Sequence, residues 1–218
     1  MADLSQNEME RKGGLNILLD HSDHLISDIM HADHIHIFLD NAAMELLYDL
    51  ILCKSILEET NCQVYLHFKN QPIFVSDVID NDINMLLSFV RELGFEDWVE
   101  SLLKLIERGQ LQLHPDDFWN SPNFFTEMPH KIESQFAKND VIISKGDANY
   151  RRFFEDREIP QSANPGDFTT YLPCPTYCVR TLKSEIQLGL VLKQIEGLNS
   201  THPDWLVNGK FAVIQKIN

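Results

Sequence analysis

The sequence lacks long apolar stretches. Its 218 residues are 44% apolar, yet no window approaches the roughly 18 uninterrupted apolar residues that a membrane-spanning helix requires. The first residues, MADLSQNEMERKGG, also lack the apolar centre of a secretory signal peptide. We therefore expect a cytoplasmic protein with no membrane partner, and the chain is long enough to bury one substantial core.

Basic residues are scarce. The chain has 18 Lys and Arg against 33 Asp and Glu, a formal net charge of −15, which repels nucleic acid and anionic membranes at long range. We therefore expect no nucleic-acid partner. A small anionic substrate stays compatible with this charge, provided that a bound cation and a few Lys or Arg side chains reverse the field locally.

Cysteine is also rare, and the common nucleotide and hydrolase motifs are missing. The four cysteines, Cys53, Cys62, Cys174 and Cys178, predict buried thiols rather than a disulfide framework, because the chain has no secretory start. There is no Walker A loop, no GxGxxG fingerprint and no GxSxG elbow. These absences argue against a P-loop enzyme, a dinucleotide-binding enzyme and a serine hydrolase of the elbow type.

Histidines, in contrast, are dense near the start of the chain. His24, Asp28 and His31 have a helical spacing at which side chains can bind zinc. No HExxH-type spacing is present, and the segment precedes the first predicted strand. We therefore favour a solvated or partly packed helix face over a zinc site.

The main positive feature is an alternation of strand and helix patterns. Short runs of apolar and β-branched residues are separated by segments with helical spacing, which predicts β-α-β crossovers. We predict an α/β fold, a three-layer α/β/α sandwich with a mostly parallel, Rossmann-like sheet of five or six strands. Residues 1–34 are expected to form an N-terminal tail and helix, and residues 35–218 the α/β domain. The predicted strands cover 34–39, 63–69, 111–115, 140–146, 175–181 and 211–217, and the predicted helices cover 15–32, 42–60, 82–94, 96–110, 130–139, 149–156 and 184–198.

Polar residues follow several of the predicted strands. In an open parallel sheet, ligands bind beyond the carboxyl ends of the strands. The residues at these positions are Asp40 and Asn41 after the first strand, Asp77 some way after the second, and the segments 145–147 and 180–183 after two later ones. Four segments that are distant in the sequence are therefore expected to converge at one edge of the sheet.

Asp40, Asn41 and Asp77 supply two carboxylates and one amide oxygen. This set of hard oxygen ligands suits Mg²⁺ or Mn²⁺ and leaves coordination positions for water and phosphate. Glu45 lies one helical turn after Asn41, where it is able to orient a ligand. The alternatives are an ordinary helix cap for Asp40 and Asn41, and a solvated acid for Asp77.

The cations at the same edge complement these acids. Lys145, Arg151, Arg180 and Lys183 are placed to clamp a phosphoryl group, which is much of what phosphoryl-transfer catalysis requires of a protein. Asp147 and Asn149 are placed to accept hydrogen bonds from substrate hydroxyls. The alternatives are a solvated helix face for Arg151 and a helix cap for Asp147.

Five segments then carry a resemblance to a known family. They are FLDNAAMELLYDL, HFKNQPIFVSDV, ISKGDANYRR, CVRTLKSE and NGKFAVIQ. In this order they resemble the damage-control phosphatases, and most closely the subfamily III that has an RTxK motif and is also described as acidic-residue methyltransferase-like. About 34 residues precede the first predicted strand, where members of that subfamily usually carry a long helical region.

The resemblance implies a metal-dependent phosphatase that acts on sugar phosphates such as fructose 1-phosphate, with Mn²⁺, Ni²⁺, Co²⁺ or Mg²⁺ as cofactor. It implies metal binding by Asp40, Asn41 and Asp77, and catalytic roles for Asp40, Arg151 and Lys183. Whether Asp40 or a metal-held water attacks phosphorus stays open. The substrate-contacting positions implied by the resemblance are Asp40, Asn41, Glu45, Asp77, Asp147, Ala148, Asn149, Tyr150, Arg151, Arg180 and Lys183.

Two other functions compete with this hypothesis. The first is S-adenosylmethionine-dependent methylation of protein glutamate carboxylates, but no glycine-rich loop follows the first predicted strand. The second is a shortened homologue that binds metal or metabolite without turnover. The oligomeric state stays open.

Overall fold

The computed structural model describes residues 16–218, and the predicted N-terminal tail lies outside the described residues. A single sheet of seven strands runs through this part of the chain in the order β1-β7-β6-β5-β2-β3-β4. The α/β prediction is confirmed. The strands are β1 (Asn16–Asp20), β2 (His34–Phe38), β3 (Gln63–Lys69), β4 (Leu111–Asp116), β5 (Val141–Lys145), β6 (Thr176–Thr181) and β7 (Phe211–Lys216).

The sheet is mostly parallel, as predicted. Five of its strand pairs are parallel, and only β6 and β7 pair antiparallel. Short 3₁₀ turns lie at Phe125–Glu127 and Pro165–Asp167. The α-helices within residues 16–218 are α1 (Ser22–Ile29), α2 (Met44–Glu59), α3 (Asp80–Glu92), α4 (Glu96–Glu107), α5 (Asp117–Asn120), α6 (His130–Glu133), α7 (Asp147–Phe153) and α8 (Leu192–Thr201).

Two apolar clusters cover the two faces of the sheet. Successive side chains of a strand point to opposite faces. In β2, Ile35 and Ile37 belong to a cluster with Leu46 and Leu50 of α2, whereas Phe38 belongs to a second cluster with residues of α5 and α7. The sheet is thus buried on both sides, which is the three-layer arrangement that the sequence predicts.

The helix predicted over 15–32 is wrong for residues 16–21. Here Ile17, Leu18 and Leu19 are consecutive rather than helically spaced, and this segment forms β1, which pairs in parallel with β7. Asp20 then accepts a hydrogen bond from the Ser22 backbone N–H (3.0 Å), where α1 begins. The sheet therefore has seven strands instead of five or six. The boundary at residue 34 stays a prediction, although β1 belongs to the same sheet as the later strands.

The helix predicted over 184–198 is also wrong in its first half. Residues 184–191 are not helical, and α8 begins only at Leu192. Their backbone groups bond to distant partners instead: the Arg180 guanidinium donates to the Ile186 carbonyl (2.5 Å), and the Leu188 N–H donates to the Tyr150 hydroxyl (3.1 Å). Gly189 has a φ of +84°, which also interrupts helical geometry.

Two predictions from composition concern the cysteines and the absence of membrane-spanning segments. All four cysteines are buried, free thiols, as predicted. None of the helices between residues 16 and 218 combines the length and apolar character needed to span a bilayer. The cytoplasmic location stays a prediction.

Candidate active site

A cavity of about 500 Å³ lies at the edge of the sheet where the parallel strands end. Its walls come from the segments that follow β2, β5 and β6, together with residues of β1 and β7. Three of the four segments expected at this edge therefore meet around one space. The lining residues are Ile17, Asp40, Asn41, Glu45, Lys145, Gly146, Asp147, Ala148, Arg151, Val179, Arg180, Thr181, Lys183, Ala212, Val213 and Ile214.

The turn between β2 and α2 brings Asp77 beside this wall. The Ala42 N–H donates to the Ser76 carbonyl (2.8 Å), the Val78 N–H donates to the Asp40 carbonyl (3.3 Å), and Asn41 and Asp77 form an antiparallel bridge. The fourth segment is thus tied to the first by backbone hydrogen bonds. Asp77 itself is not among the residues that line the cavity.

Asp40 and Asn41 do not cap α2. The residue at the N-cap position is Ala43, whose φ is +58°, and no side chain caps the helix. The helix-cap interpretation is therefore wrong. Both residues line the cavity instead.

The Asp40 carboxylate lies in a region with too little positive charge. Its pKa is raised from 3.8 to about 6, mainly by burial and also by the charges of Glu45 and Asp77, against the opposing effect of Lys69 and Lys183. The charged form of Asp40 is thus only partly compensated by protein cations. A divalent ion at this point would supply the missing positive charge.

Asn41 joins two of these acids. Its amide N–H₂ donates to Asp40 Oδ2 (2.9 Å) and to Glu45 Oε2 (3.0 Å). With the amide in this orientation, its oxygen Oδ1 accepts no hydrogen bond from residues 16–218 and is available as a hard metal ligand. Asn41 precedes α2 rather than lying one turn before Glu45 in the helix, and the hydrogen bond brings the two side chains together.

Asp77 is buried, with a relative exposure of 5%, so the solvated-acid interpretation is wrong. Its Oδ2 accepts hydrogen bonds from the N–H groups of Ile73 (2.9 Å) and Phe74 (2.7 Å). Its Oδ1 lies 2.7 Å from Lys69 Nζ. The carboxylate is therefore held in place by contacts at both of its oxygens.

The donor set fits a hard divalent ion. Asp40, Asn41 and Asp77 offer carboxylate and amide oxygens, the ligands that Mg²⁺ and Mn²⁺ prefer. Within the described residues, no three His, Cys, Asp or Glu side chains are arranged to hold a metal, and this set contains only two such residues. His24, Asp28 and His31 form no such group either, because the Asp28 carboxylate binds the Tyr177 hydroxyl and Lys216.

The segment 146–150 divides between the cavity and the interior. Gly146 has a φ of +83°, and a Cβ there would lie 2.0 Å from Asp40 Oδ2, so only glycine leaves room for that carboxylate. Asp147 and Ala148 line the cavity. Asn149 is buried and donates to the carbonyls of Lys145 (2.9 Å) and Leu39 (3.4 Å).

Tyr150 also faces the interior. Its hydroxyl donates to Gln215 Oε1 (3.2 Å) and accepts from the Leu188 N–H. The resemblance implies substrate contact for Asn149 and Tyr150, whereas the structure places both side chains outside the cavity lining. Their contacts hold the ends of β2, β5 and β7 together.

Arg180 is an interior cation rather than an open anion-binding group. Only 3% of the residue is exposed, and its guanidinium lies 3.6 Å from the centre of the Tyr150 ring. It donates to the Ile186 carbonyl, to Gln187 Oε1 (2.8 Å) and to Asp147 Oδ1. Asp147 also accepts from the Lys183 backbone N–H (3.3 Å). Asp147 therefore joins α7 to the RTxK segment, Arg180–Lys183.

The side chains of Arg151 and Lys183 remain accessible. Arg151 lies on the cavity wall and pairs with Asp156 (Nε to Oδ1 2.8 Å). Lys183 is exposed, forms no ion pair within residues 16–218, and is close enough to lower the pKa of Asp40. Arg151 and Lys183 are thus the two cations of the proposed catalytic set that an anionic ligand in the cavity can reach.

Two polar residues of this region were not singled out from the sequence. Lys69 is the last residue of β3 and pairs with Asp77, and Asp49 of α2 lies 2.6 Å from Lys145 Nζ. Asp49 stands four residues after Glu45 within the run LLYDLIL, and an acid flanked on both sides by apolar residues is a signal for a buried charge. Lys69 carries no comparable signal, because a lysine at a strand end is common on a solvated surface.

Comparison with solved structures identifies the class of fold. A crystal structure of a DUF89 family protein from Pyrococcus horikoshii superposes with a TM-score of 0.55 at 20% sequence identity, covering 99% of this chain and 58% of that one. At this identity the likeness shows the fold alone.

Sequence comparison then identifies the family. The sequence profile of the damage-control phosphatase ARMT1-like domain matches residues 1–198. The curated proteins named damage-control phosphatase ARMT1 from Xenopus laevis and from Homo sapiens are each 34% identical to this chain, over 196 and 201 residues. These matches cover 83% and 84% of this chain, but only 43% and 44% of the relatives. The chain belongs to the damage-control phosphatase ARMT1-like family and spans less than half the length of these relatives.

Proposed function

We propose that this chain is a metal-dependent phosphatase that hydrolyses small phosphomonoesters, with sugar phosphates such as fructose 1-phosphate as substrates. The observation that carries the proposal is the under-compensated Asp40 carboxylate beside Asn41, Glu45 and Asp77, in a cavity that Arg151 and Lys183 also line. A divalent ion would compensate the acidic side chains of such a cavity, and a phosphate would pair with its cations.

Each side chain has a distinct part in this proposal. Asp40, Asn41 and Asp77 would hold Mn²⁺, Ni²⁺, Co²⁺ or Mg²⁺, and the ion when bound polarises the phosphoryl oxygens. An ion bound there would compete with Lys69 for Asp77 Oδ1. Arg151 and Lys183 stabilise the negative charge that develops on the phosphoryl group. Glu45 and Asp147 lie on the wall within reach of substrate hydroxyls.

The size and charge of the site favour a small ligand. A cavity of about 500 Å³ accommodates a metabolite, and the net charge of −15 opposes a polyanionic partner. We therefore propose a small phosphate ester as the substrate.

The test is a phosphate-release assay on the purified chain with a panel of sugar phosphates and with Mg²⁺, Mn²⁺, Co²⁺, Ni²⁺ or EDTA. We expect release that depends on the metal, and its loss in Asp40→Ala and Asp77→Ala variants that stay folded by circular dichroism. Full turnover in a folded variant would show that the substituted residue is not required for phosphate release. Metal binding without release from any substrate would instead indicate a homologue that binds and does not catalyse.

A further inference from the structure

A buried acid lies in the middle of α2, outside the cavity lining. Asp49 is only 2% exposed and lies among Leu46, Leu50 and Cys53 of the apolar core. Burying an ionised carboxylate is unfavourable unless a cation and hydrogen bonds compensate it. Asp49 has one such partner: its Oδ1 lies 2.6 Å from Lys145 Nζ, whereas its Oδ2 is buried without a partner among residues 16–218.

Lys145 connects this acid to the cavity. It is the last residue of β5, its side chain is 15% exposed, and it lines the cavity. Burial opposes its charged form, but Asp49 and then Glu45 outweigh burial and raise the pKa of the ammonium. Lys145 is therefore a charged group that lines the cavity while its ammonium pairs with the buried Asp49.

Glu45 is a weaker partner for this ammonium. Its Oε1 lies 3.6 Å from Lys145 Nζ, and its Oε2 accepts from Asn41. Glu45 and Asp49 are one turn apart on α2, and Asn41 precedes the helix. A continuous polar chain therefore runs from Asp49 through Lys145 and Glu45 to Asn41. If Asp49 were neutral, Glu45 would be the only counter-ion left to the ammonium among residues 16–218.

We propose that Asp49 is a positioning residue that holds the Lys145 ammonium at the cavity wall, where Lys145 binds the phosphoryl group of the substrate. Asp49 touches no substrate and acts through Lys145. This inference rests on the proposed phosphatase function, and it adds a third phosphate-binding cation to Arg151 and Lys183. The remaining ammonium hydrogens of Lys145 are available to a phosphate in the cavity, because a lysine has three donors.

The test is a double-mutant cycle with Asp49→Asn and Lys145→Met. The binding of inorganic phosphate to the chain in the presence of Mg²⁺ is measured by calorimetry, and kcat and KM are measured for one sugar phosphate. For Asp49→Asn we expect the phosphate Kd and the KM to rise about tenfold, with kcat within about threefold, since a charge-assisted contact made equally in ground and transition states is lost. Mg²⁺ affinity stays unchanged.

The cycle separates positioning from a purely structural role. If Asp49 acts through Lys145, the double variant binds phosphate as weakly as Lys145→Met alone. Glu58→Gln is the matched control, because Glu58 is an ion-paired acid of the same helix but exposed, and it should leave every parameter unchanged. Thermal unfolding confirms that each variant is folded.

Two kinds of result would overturn the inference. Unchanged phosphate affinity in Asp49→Asn, or additive losses in the double variant, would show that Asp49 does not act through Lys145, while metal-dependent turnover by the wild type would leave the proposed function intact. A wild-type chain that releases no phosphate refutes the proposed function, and the calorimetric cycle then still decides the Asp49–Lys145 link. If that chain also binds no phosphate, both proposals are wrong.

Discussion

At the scale of single residues, Asp40 shows the conflict between metal binding and stability. Its pKa is about 6 in the folded chain and 3.8 in the unfolded reference. A group whose pKa is raised by folding contributes stability that is fully present below pH 3.8 and is lost as the pH rises through about 6. In the absence of metal, the ionised carboxylate therefore destabilises the chain at neutral pH.

The neutral variant Asp40→Asn should reverse this effect. In EDTA at pH 7.5 we expect the free energy of unfolding to rise by up to about 3 kcal/mol, from the difference between the two pKa values. At pH 3.5 the gain should fall to about 0.2 kcal/mol, because Asp40 is then protonated in the folded chain and mostly protonated in the unfolded chain. Urea denaturation at the two pH values measures it, and a loss of stability at pH 7.5 would contradict the proposed charge balance.

Gly146 offers a second test at this scale. In Gly146→Ala, the new Cβ would lie 2.0 Å from Asp40 Oδ2, and the residue has a φ of +83°. We expect a loss of about 1–2 kcal/mol from backbone strain together with the loss of metal-dependent phosphate release, because Asp40 must move.

Gly94→Ala is the matched control for this substitution. Gly94 has a φ of +90°, but nothing lies within 4 Å of the Cβ position. It should lose similar stability and keep full phosphate release. Equal activity in the two variants would mean that the position of Asp40 is unimportant.

At the scale of elements, the sequence predicted the strands and helices that a local residue pattern specifies. It missed the segments whose structure depends on residues distant in the sequence. The alternation in β2 and the helical spacing of α2 need no outside information. Residues 184–191 have helical spacing too, but the buried Arg180 and Tyr150 take up their backbone groups. No local pattern reports such a partner, and the same holds for β1, which exists because β7 lies beside it.

The RTxK segment predicts a contrast between its two cations. Arg180→Met leaves Asp147, Gln187 and the Ile186 carbonyl without their donor, and removing one partner of a buried ion pair costs about 3–5 kcal/mol. Lys183→Met removes an exposed side chain, so stability should change by less than about 0.5 kcal/mol while phosphate release is lost. Urea denaturation and the phosphatase assay measure both. Equal free energies of unfolding for the two variants would show that the buried contacts of Arg180 do not stabilise the fold.

At the scale of the whole molecule, a buried histidine network joins β2 and β3 outside the cavity lining. His36 Nδ1 lies 3.0 Å from His67 Nε2, and its Nε2 lies 3.4 Å from Asp140 Oδ2. Burial lowers the pKa of both histidines, that of His67 well below 6.5. Folding therefore holds two imidazoles neutral that the unfolded chain would protonate.

This network predicts the pH dependence of global stability. Because the unfolded chain binds more protons once the pH falls below about 6.5, the free energy of unfolding should fall from pH 7 to pH 5. The measurement belongs in the Asp40→Asn background, since Asp40 acts with the opposite sign in this range. A His67→Leu substitution should flatten the slope, and an unchanged slope would exclude His67 as its source.

The sequence predicted the location of the site better than its details. Strand topology alone places Asp40, the segment after β5 and the segment after β6 at one edge, because parallel strands end together. Which side chains face the cavity depends on packing, and Asn149 and Tyr150 turn inward for that reason. Asp49 reaches Lys145 only through the contact of α2 with β5, which no spacing within either segment reveals.

The central claim is that Asp40, Asn41 and Asp77 share one divalent ion. Crystals of the chain soaked in Mn²⁺ and measured at the manganese absorption edge test it most directly. We expect one anomalous peak with an oxygen of each of the three side chains at about 2.0–2.6 Å, the range for hard cations, and Lys69 displaced from Asp77. A peak elsewhere, or Asp77 still paired with Lys69 and out of reach of the ion, would contradict the account.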